Sequence, residues 1–452
     1  MNAGRAVAAR LFRNLFRRTG RLKSYNSRLS QGGRAINVRI TLFLALVPAA
    51  AAAAATLSLD DAVKAALEHG LAAETAELER AQGRQALAEG IVAATPSLSS
   101  SYSSNATTVG AVGDTWNFHF SAEQPVVDAA VVFGIVRASR ENKHKKTTSA
   151  QTIADLVLRV QQEYYALAQA QSLVASADKQ YLRAVESQKL VERKYQLEDA
   201  NLGDKLQAEA DVLSKENALL SARNAVFLNQ RKLCDLIGYD AWEAVEVAAL
   251  PAPETPAELP TTVISEAALD RNPDLAVARA SARATDAAYW GVWANVLPAL
   301  SVSFSRGTTV GVTDVPVGGG NETRYGVILS FPVVDVASRV VEITGADLDR
   351  KQARLAVAQA RLDARQRLAD LLDTQDLSYW QWESASKTVE LNEEAYRLKA
   401  RSYELGAASL VDVLQVEADL ADAERALVGA NAAYWSSRAE LNYVLGVSLE
   451  VK

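Results

Sequence analysis

The chain has 452 residues, 49% of them hydrophobic and 23% charged, so a buried core is available and wholesale disorder is excluded. A single cysteine, Cys234, rules out an internal disulfide framework and a multi-cysteine zinc site. Three histidines (His69, His119, His144) leave little for imidazole catalysis or metal binding. The formal charge of −6 joins two unlike parts. Residues 1–55 hold ten Arg and Lys and no acid, and without them 38 bases face 54 acids, a balance of −16. Such a surface repels phosphate backbones, so no nucleic-acid partner is expected.

Residues 1–55 read as a signal peptide with an extended basic N-terminal region. Arg34 and Arg39 precede the apolar run Ile40 to Val47, and Pro48 and the tract Ala49 to Ala55 follow it. The run is short for a spanning helix, which needs about 20 apolar residues, although an N-terminal anchor is the competing reading. No cysteine follows for lipid attachment.

The remainder is written twice: a first repeat over 56–248, a proline-rich linker over 249–261 and a second repeat over 262–452. Ala66-Leu67-Glu68 matches Ala268-Leu269-Asp270, and Thr95-Pro96-Ser97-Leu98 matches Leu297-Pro298-Ala299-Leu300. Pro125-Val126-Val127-Asp128 matches Pro332-Val333-Val334-Asp335, and Tyr195, Leu202 and Asp204 match Tyr403, Leu410 and Asp412. The offset grows between residues 98 and 125, which places a loop of unequal length there.

Each repeat is predicted to run helix, two strands, long helix, second helix. Trp116, Phe118 and Phe120 alternate with Asn117, His119 and Ser121. Leu300, Val302 and Phe304 alternate with serines, and Tyr325, Val327, Leu329 and Phe331 form another stripe. Glycine content predicts loops over Asn105 to Asp114 and Gly307 to Asn321. On alternation alone, one covered sheet in a soluble α+β protein fits as well. The helices tip the balance. Val413, Leu420, Leu427, Tyr434 and Leu441 recur every seven residues, as do Ile153, Val160, Leu167, Val174, Tyr181, Gln188 and Tyr195. Proline is absent from 137–200 and 338–404, enough for rods of about 100 Å. Four strands cannot close a transmembrane barrel within one chain, so strands in lipid would have to be pooled among several copies.

Tyr403-Glu-Leu-Gly406-Ala-Ala-Ser409-Leu410-Val411-Asp412-Val413-Leu414, the Gln124–Asp128 and Phe331–Asp335 segments, and the duplicated layout together resemble the TolC family of outer-membrane efflux proteins over about 57–446. The resemblance implies a mostly α fold with a minor β part. Duplicated coiled-coil helices and two β-hairpins would trimerise into a 12-stranded outer-membrane β-barrel continued by a 12-helix periplasmic α-barrel. It implies a passive duct, without enzyme activity, cofactor or metal, that docks on an inner-membrane pump and a periplasmic adaptor and contacts outer-membrane lipid. Tip and partner-docking positions carry over to Tyr195, Leu202, Asp204, Tyr403, Gly406, Ser409 and Asp412.

From the residues themselves, Pro125 and Pro332 are expected where strands end, with Asp128 and Asp335 capping the following helices. Gly406, Ser409 and Asp412 read as helix end, turn and helix start. Glu198 stands where Gly406 stands in the second repeat, so the first turn is expected to end its helix differently or to run through, with Gly203 supplying flexibility. Glu390, Glu393 and Glu394 fit a solvated helix face, or a threefold acidic ring at the gate that attracts cations. His119 and the serines at 99, 101, 301, 303 and 305 read as channel lining. The competing functions are a non-pore periplasmic coiled-coil scaffold and the periplasmic adaptor itself.

Overall fold

The computed structural model describes residues 56–107, 113–239, 245–255, 269–312, 320–331 and 336–447. The expectations for residues 1–55, Pro332, Asp335 and 256–261 fall outside the described residues. Helices α1 (Leu59–His69) and α2 (Leu71–Val92) lead into strands β1 (Ser97–Thr107) and β2 (Gly113–Val127). Helices α3 (Ala129–Gln196) and α4 (Leu202–Ile237) follow. The second repeat gives α5 (Pro273–Ala294), β3 (Ala299–Val312), β4 (Asn321–Ser330), α6 (Val336–Glu404) and α7 (Leu410–Val444). The duplication therefore returns as structure. Gly70 breaks the first helix in two, and a Cβ there would lie 2.3 Å from the Ala66 carbonyl oxygen and 2.9 Å from that of Leu236.

The two predicted hairpins are not separate. β2 pairs antiparallel with β3, giving one four-stranded sheet in the order β1-β2-β3-β4. The strands also run further than glycine content suggested. Asn105 to Thr107, Gly113, Asp114 and Gly307 to Val312 belong to strands, so the connections shrink to 108–112 and 313–320. The β-branched residues Thr308, Thr309, Val310 and Val312 between and beside Gly307 and Gly311 favour a strand over a loop. Pro125 lies inside β2 rather than at its end, beside a register shift at Val126. A bulge tolerates the missing N–H there.

Below the sheet, α2, α3, α5 and α6 are neighbours in that order, the order of the strands they adjoin. The helical layer thus prolongs the sheet as a wall. α3 has 68 residues, about 100 Å at ~1.5 Å per residue. Midway along it, Leu156, Val160, Tyr164 and Leu167 form the main core with α1, α4, α6 and α7. The seven-residue seam holds in α7, where Val413, Leu420, Tyr434 and Leu441 are buried, and fades along α3 towards an exposed Tyr195.

Left-handed glycines end both return helices. Gly238 (φ 76) and Gly446 (φ 70) sit so close to the carbonyl oxygens of His69 and Arg271 that a Cβ would approach to 2.5 and 2.4 Å. The linker is strapped down over its described part. The Pro251 carbonyl accepts from Trp435 Nε1 at 3.0 Å, the Glu254 carbonyl from the Tyr434 hydroxyl at 2.8 Å, and Arg438 pairs with Glu254 at 2.9 Å.

Candidate functional site

Register sorts the sheet into two faces, because directly paired residues point the same way. One face carries Leu98, Tyr102, Trp116, Phe118, Phe120, Leu300, Val302, Phe304, Tyr325, Val327 and Leu329. Most of these side chains are exposed, and their rings form cross-strand contacts: Tyr102 with Trp116 at 5.6 Å, Phe120 with Phe304 at 6.4 Å, Phe304 with Tyr325 at 5.9 Å. The other face carries serines 97, 99, 101, 103, 121, 301, 303 and 305 with His119, Gly307 and Gly326. There Ser99 and Ser121 hydroxyls meet at 2.6 Å, and Ser301 donates to Glu123 at 2.7 Å. Ser97 and Ser303 donate to the carbonyl oxygens of Glu123 and Gly326, so these serines find their partners within the sheet itself.

β1 and β4 have no strand on their outer sides among the described residues. An aromatic, exposed face between two open edges would aggregate in water. In lipid the same face is satisfied, and the edges demand further strands. Strands of 10 to 15 residues are long enough to cross. No described helix is long and apolar enough to span a membrane.

At the far end the helices turn back in two matched corners. After α6, the Gly406 N–H bonds the Tyr403 carbonyl and the Ala407 N–H the Ser402 carbonyl. Glu198 and Asp199 repeat this at the end of α3, on the carbonyls of Tyr195 and Lys194. Both are Schellman caps, and Glu198 takes the left-handed conformation (φ 64) that Gly406 takes (φ 75). The first corner thus ends its helix as the second does, contrary to expectation. Gly203 lies within the first turn of α4, not at the corner. Each return helix opens with a capping box, Asn201 with Asp204 and Ser409 with Asp412. Asp128 caps α3 through the N–H groups of Ala130 and Val131.

The corners differ in their surroundings. Tyr403 and Leu410 pack with Val191, Ala208 and Val413. Lys194 reaches the Tyr403 carbonyl and lies 4.2 Å from its ring centroid. Tyr195 and Leu202, their counterparts, are 37% and 55% exposed, against 7% and 2%. Leu197, Leu405 and Val411 add exposed apolar groups to the tips.

Sequence reading missed a polar cluster one and a half turns further along α7. Glu417 is 1% exposed with neither carboxylate oxygen hydrogen-bonded, and burial pushes it up to about 7. Asp211 and Glu424 raise it further, while Lys215 and Arg183 act in the opposite sense. Glu424 is held by Ser176, by Gln180 at 3.3 Å and by Arg183 at 3.4 Å. The signal available was the 208-residue match between Glu209 and Glu417, which gives no hint of their different depth. Glu390, Glu393 and Glu394 are exposed on α6, and Arg397, 2.6 Å from Glu394, holds that carboxyl below its usual range. No cluster of His, Cys, Asp or Glu able to hold a metal occurs among the described residues.

A family model described as outer membrane efflux protein matches residues 264–447. The toluene efflux pump outer membrane protein TtgC of Pseudomonas putida is 23% identical over 326 residues, 70% of this chain and 66% of that protein. Over residues 264–447 this chain matches the outer membrane efflux protein family, and it is similar to TolC-like efflux proteins over most of its length. Among solved structures, the outer membrane protein VceC of Vibrio cholerae superposes with a TM-score of 0.74 at 18% identity, over 86% of this chain and 96% of that one. The Campylobacter jejuni CmeC outer membrane channel gives 0.75 at 17%, over 86% and 85%. At these identities the superpositions speak for the fold.

Proposed function

We propose that this protein is the outer-membrane exit duct of a tripartite efflux or type I secretion system, spanning the outer membrane and reaching into the periplasm. Three copies pool their strands into a 12-stranded barrel and their helices into a 12-helix tunnel. The carrying observation is the four-stranded sheet, apolar and exposed on one face, polar on the other, and open at both edges. Closing three such sheets satisfies every edge and leaves a serine-lined pore. The duct performs no bond chemistry; its work is to exclude lipid and hold water. The relatives' names, toluene efflux pump and antibiotic efflux pump outer membrane proteins, support export of small toxic compounds. An inner-membrane pump and a periplasmic adaptor dock at the tips carrying Tyr195, Leu202, Asp204, Tyr403, Gly406, Ser409 and Asp412.

Reconstitution into planar bilayers tests the duct. Stepwise conductance from a heat-labile trimer is expected, and a detergent-free monomer that passes no ions would sink the reading. The gate is tested separately. Glu390, Glu393 and Glu394 are proposed to form an acidic ring, so replacing each by Ala is expected to lower cation selectivity in at least one case. Unchanged reversal potentials in all three variants reject the ring.

A further inference from the structure

A strongly basic groove breaks the acidic character of the chain. Between α3 and α5 lies a groove of about 440 Å³ lined by Arg140, Lys143, Lys146, Arg279 and Arg283, with Asp270 the one acid. Asp270 is already bound to Arg279 at 2.7 Å. Arg140, Lys143, Lys146 and Arg283 have no ion-pair partner among the described residues. Four unpaired cations held together repel one another and call for an anion.

The side of the wall on which the groove opens follows from helical spacing. Ala276, Arg283 and Trp290 are seven residues apart and share a line on α5, as do Arg279 and Trp293. Trp290 and Trp293 are exposed, and so are Val132 and Val136 just before Arg140 on α3. The opposite side of α5 carries Ser281, Thr285 and Ala288, small groups like those on the serine face of the sheet. Exposed tryptophans next to apolar transmembrane strands mark the headgroup level of a bilayer. Arg283 stands seven residues below Trp290, about 10 Å along the helix, and a guanidinium stem can bridge most of that distance.

We propose that this groove binds the anionic headgroups of phospholipids in the periplasmic leaflet of the outer membrane. The inference rests on the outer-membrane reading above. Chemically, the site takes a phosphodiester headgroup that carries no compensating cation, and the tryptophans above it stand at the edge of the bilayer. Binding there would fix how deep the barrel sits.

Native mass spectrometry of the detergent-purified protein with phosphatidylglycerol or phosphatidylethanolamine of identical chains reads the preference directly. The anionic lipid is expected to be retained at least roughly fivefold more, the effect of one cation near a charged headgroup. The variant R140Q/K143Q/K146Q/R283Q is expected to lose that preference while keeping its oligomeric state and conductance. Equal retention of both lipids, or an undiminished preference in the variant, overturns the proposal. So does inorganic phosphate binding the groove as tightly as the lipid, which would make it a site for free anions. The conductance record separates this outcome from failure of the duct itself: a conducting protein without lipid preference ends only the inference drawn from the groove.

Discussion

The two helical corners share a backbone and differ in everything around it. Each ends its long helix in a Schellman cap and opens its return helix with a capping box. Yet Leu410 is buried among Val191, Ala208, Tyr403 and Val413, while its counterpart Leu202 is exposed. Within one copy, Tyr403 and Leu410 of the second corner lean on the first repeat, while Tyr195 and Leu202 of the first stay exposed among the described residues. In the proposed trimer the next copy would close that gap. The 208-residue offset places Lys399 and Ser402 of α6 where α3 has Val191 and Lys194, so Tyr195 and Leu202 would seat against a neighbour's α6. On that proposal, duplication builds one contact inside the chain and leaves its twin for a second copy to complete.

The sharpest way to break this comparison is truncation at the matched leucines. Leu410→Ala should cost about 2–5 kcal/mol of fold stability, the range for an enclosed leucine. Leu202→Ala should change the stability of a single copy by no more than ~0.5 kcal/mol, as for an exposed site. It should instead lower the temperature at which the trimer dissociates. Denaturant unfolding and heat-dependent migration of the assembled protein separate the two quantities. Equal effects of both substitutions on both quantities would remove the asymmetry.

A second test uses the carboxylates at matched positions 209 and 417. Glu417 is raised to about 7 from an ordinary value near 4.5 by burial without a partner. Between those two values the folded state holds a proton that the unfolded chain has lost. Stability therefore falls as pH rises through that window and levels off above it. The full difference is about 3 kcal/mol at 1.36 kcal/mol per unit. Glu417→Gln should flatten the dependence measured by denaturation between pH 4.5 and 7.5. Glu209→Gln, at the half-exposed counterpart, is the matched control and should leave it in place. Asp211, Lys215, Arg183, Glu424 and Tyr396 face Glu417 and stay unchanged in both variants.

Much of this was legible beforehand, because it depends on local rules. The repeat, the period-two strands, the long rods and the caps at Asp128, Ser409 and Asp412 follow from spacing and from residue types that satisfy exposed N–H groups. What escaped depends on tertiary placement. Nothing local says that β2 pairs with β3, since pairing between repeats is set by how two separate hairpins meet. Nothing local distinguishes Leu202 from Leu410 or Glu209 from Glu417, since burial is decided by a helix distant in sequence. The misreading at Glu198 is of another kind. Left-handed conformation was sought where glycine stood, but the bonds of the corner hold a glutamate there too.

That glutamate yields a smaller effect of defined sign. A side chain in the left-handed region costs about 1 kcal/mol relative to glycine. Glu198→Gly should stabilise the first corner by somewhat less than that, because glycine also frees the unfolded chain. Gly406→Ala should destabilise the second by about 1 kcal/mol through conformation alone. No heavy atom lies within 4 Å of the position a Cβ would take at Gly406, so no clash contributes. Opposite signs at equivalent positions, read from chemical denaturation midpoints, would show that the two turns share one backbone conformation, held by a glutamate in one and a glycine in the other.

The smallest difference is expected at the caps, where the comparison should vanish. The Asn201 side chain accepts from the Asp204 N–H at 2.9 Å, and the Ser409 hydroxyl accepts from the Asp412 N–H at 3.2 Å. Both caps are exposed and satisfy the same orphan donor of a helix start. Asn201→Ala and Ser409→Ala should each cost ~1 kcal/mol, the usual value for losing such a cap. Their agreement to within about 0.5 kcal/mol would assign the asymmetry of the corners to side-chain burial and not to the backbone. A much larger cost at Ser409 would mean that Leu410, one residue on, depends on the cap for its seat, and that the backbone and the packing of the second corner are one unit.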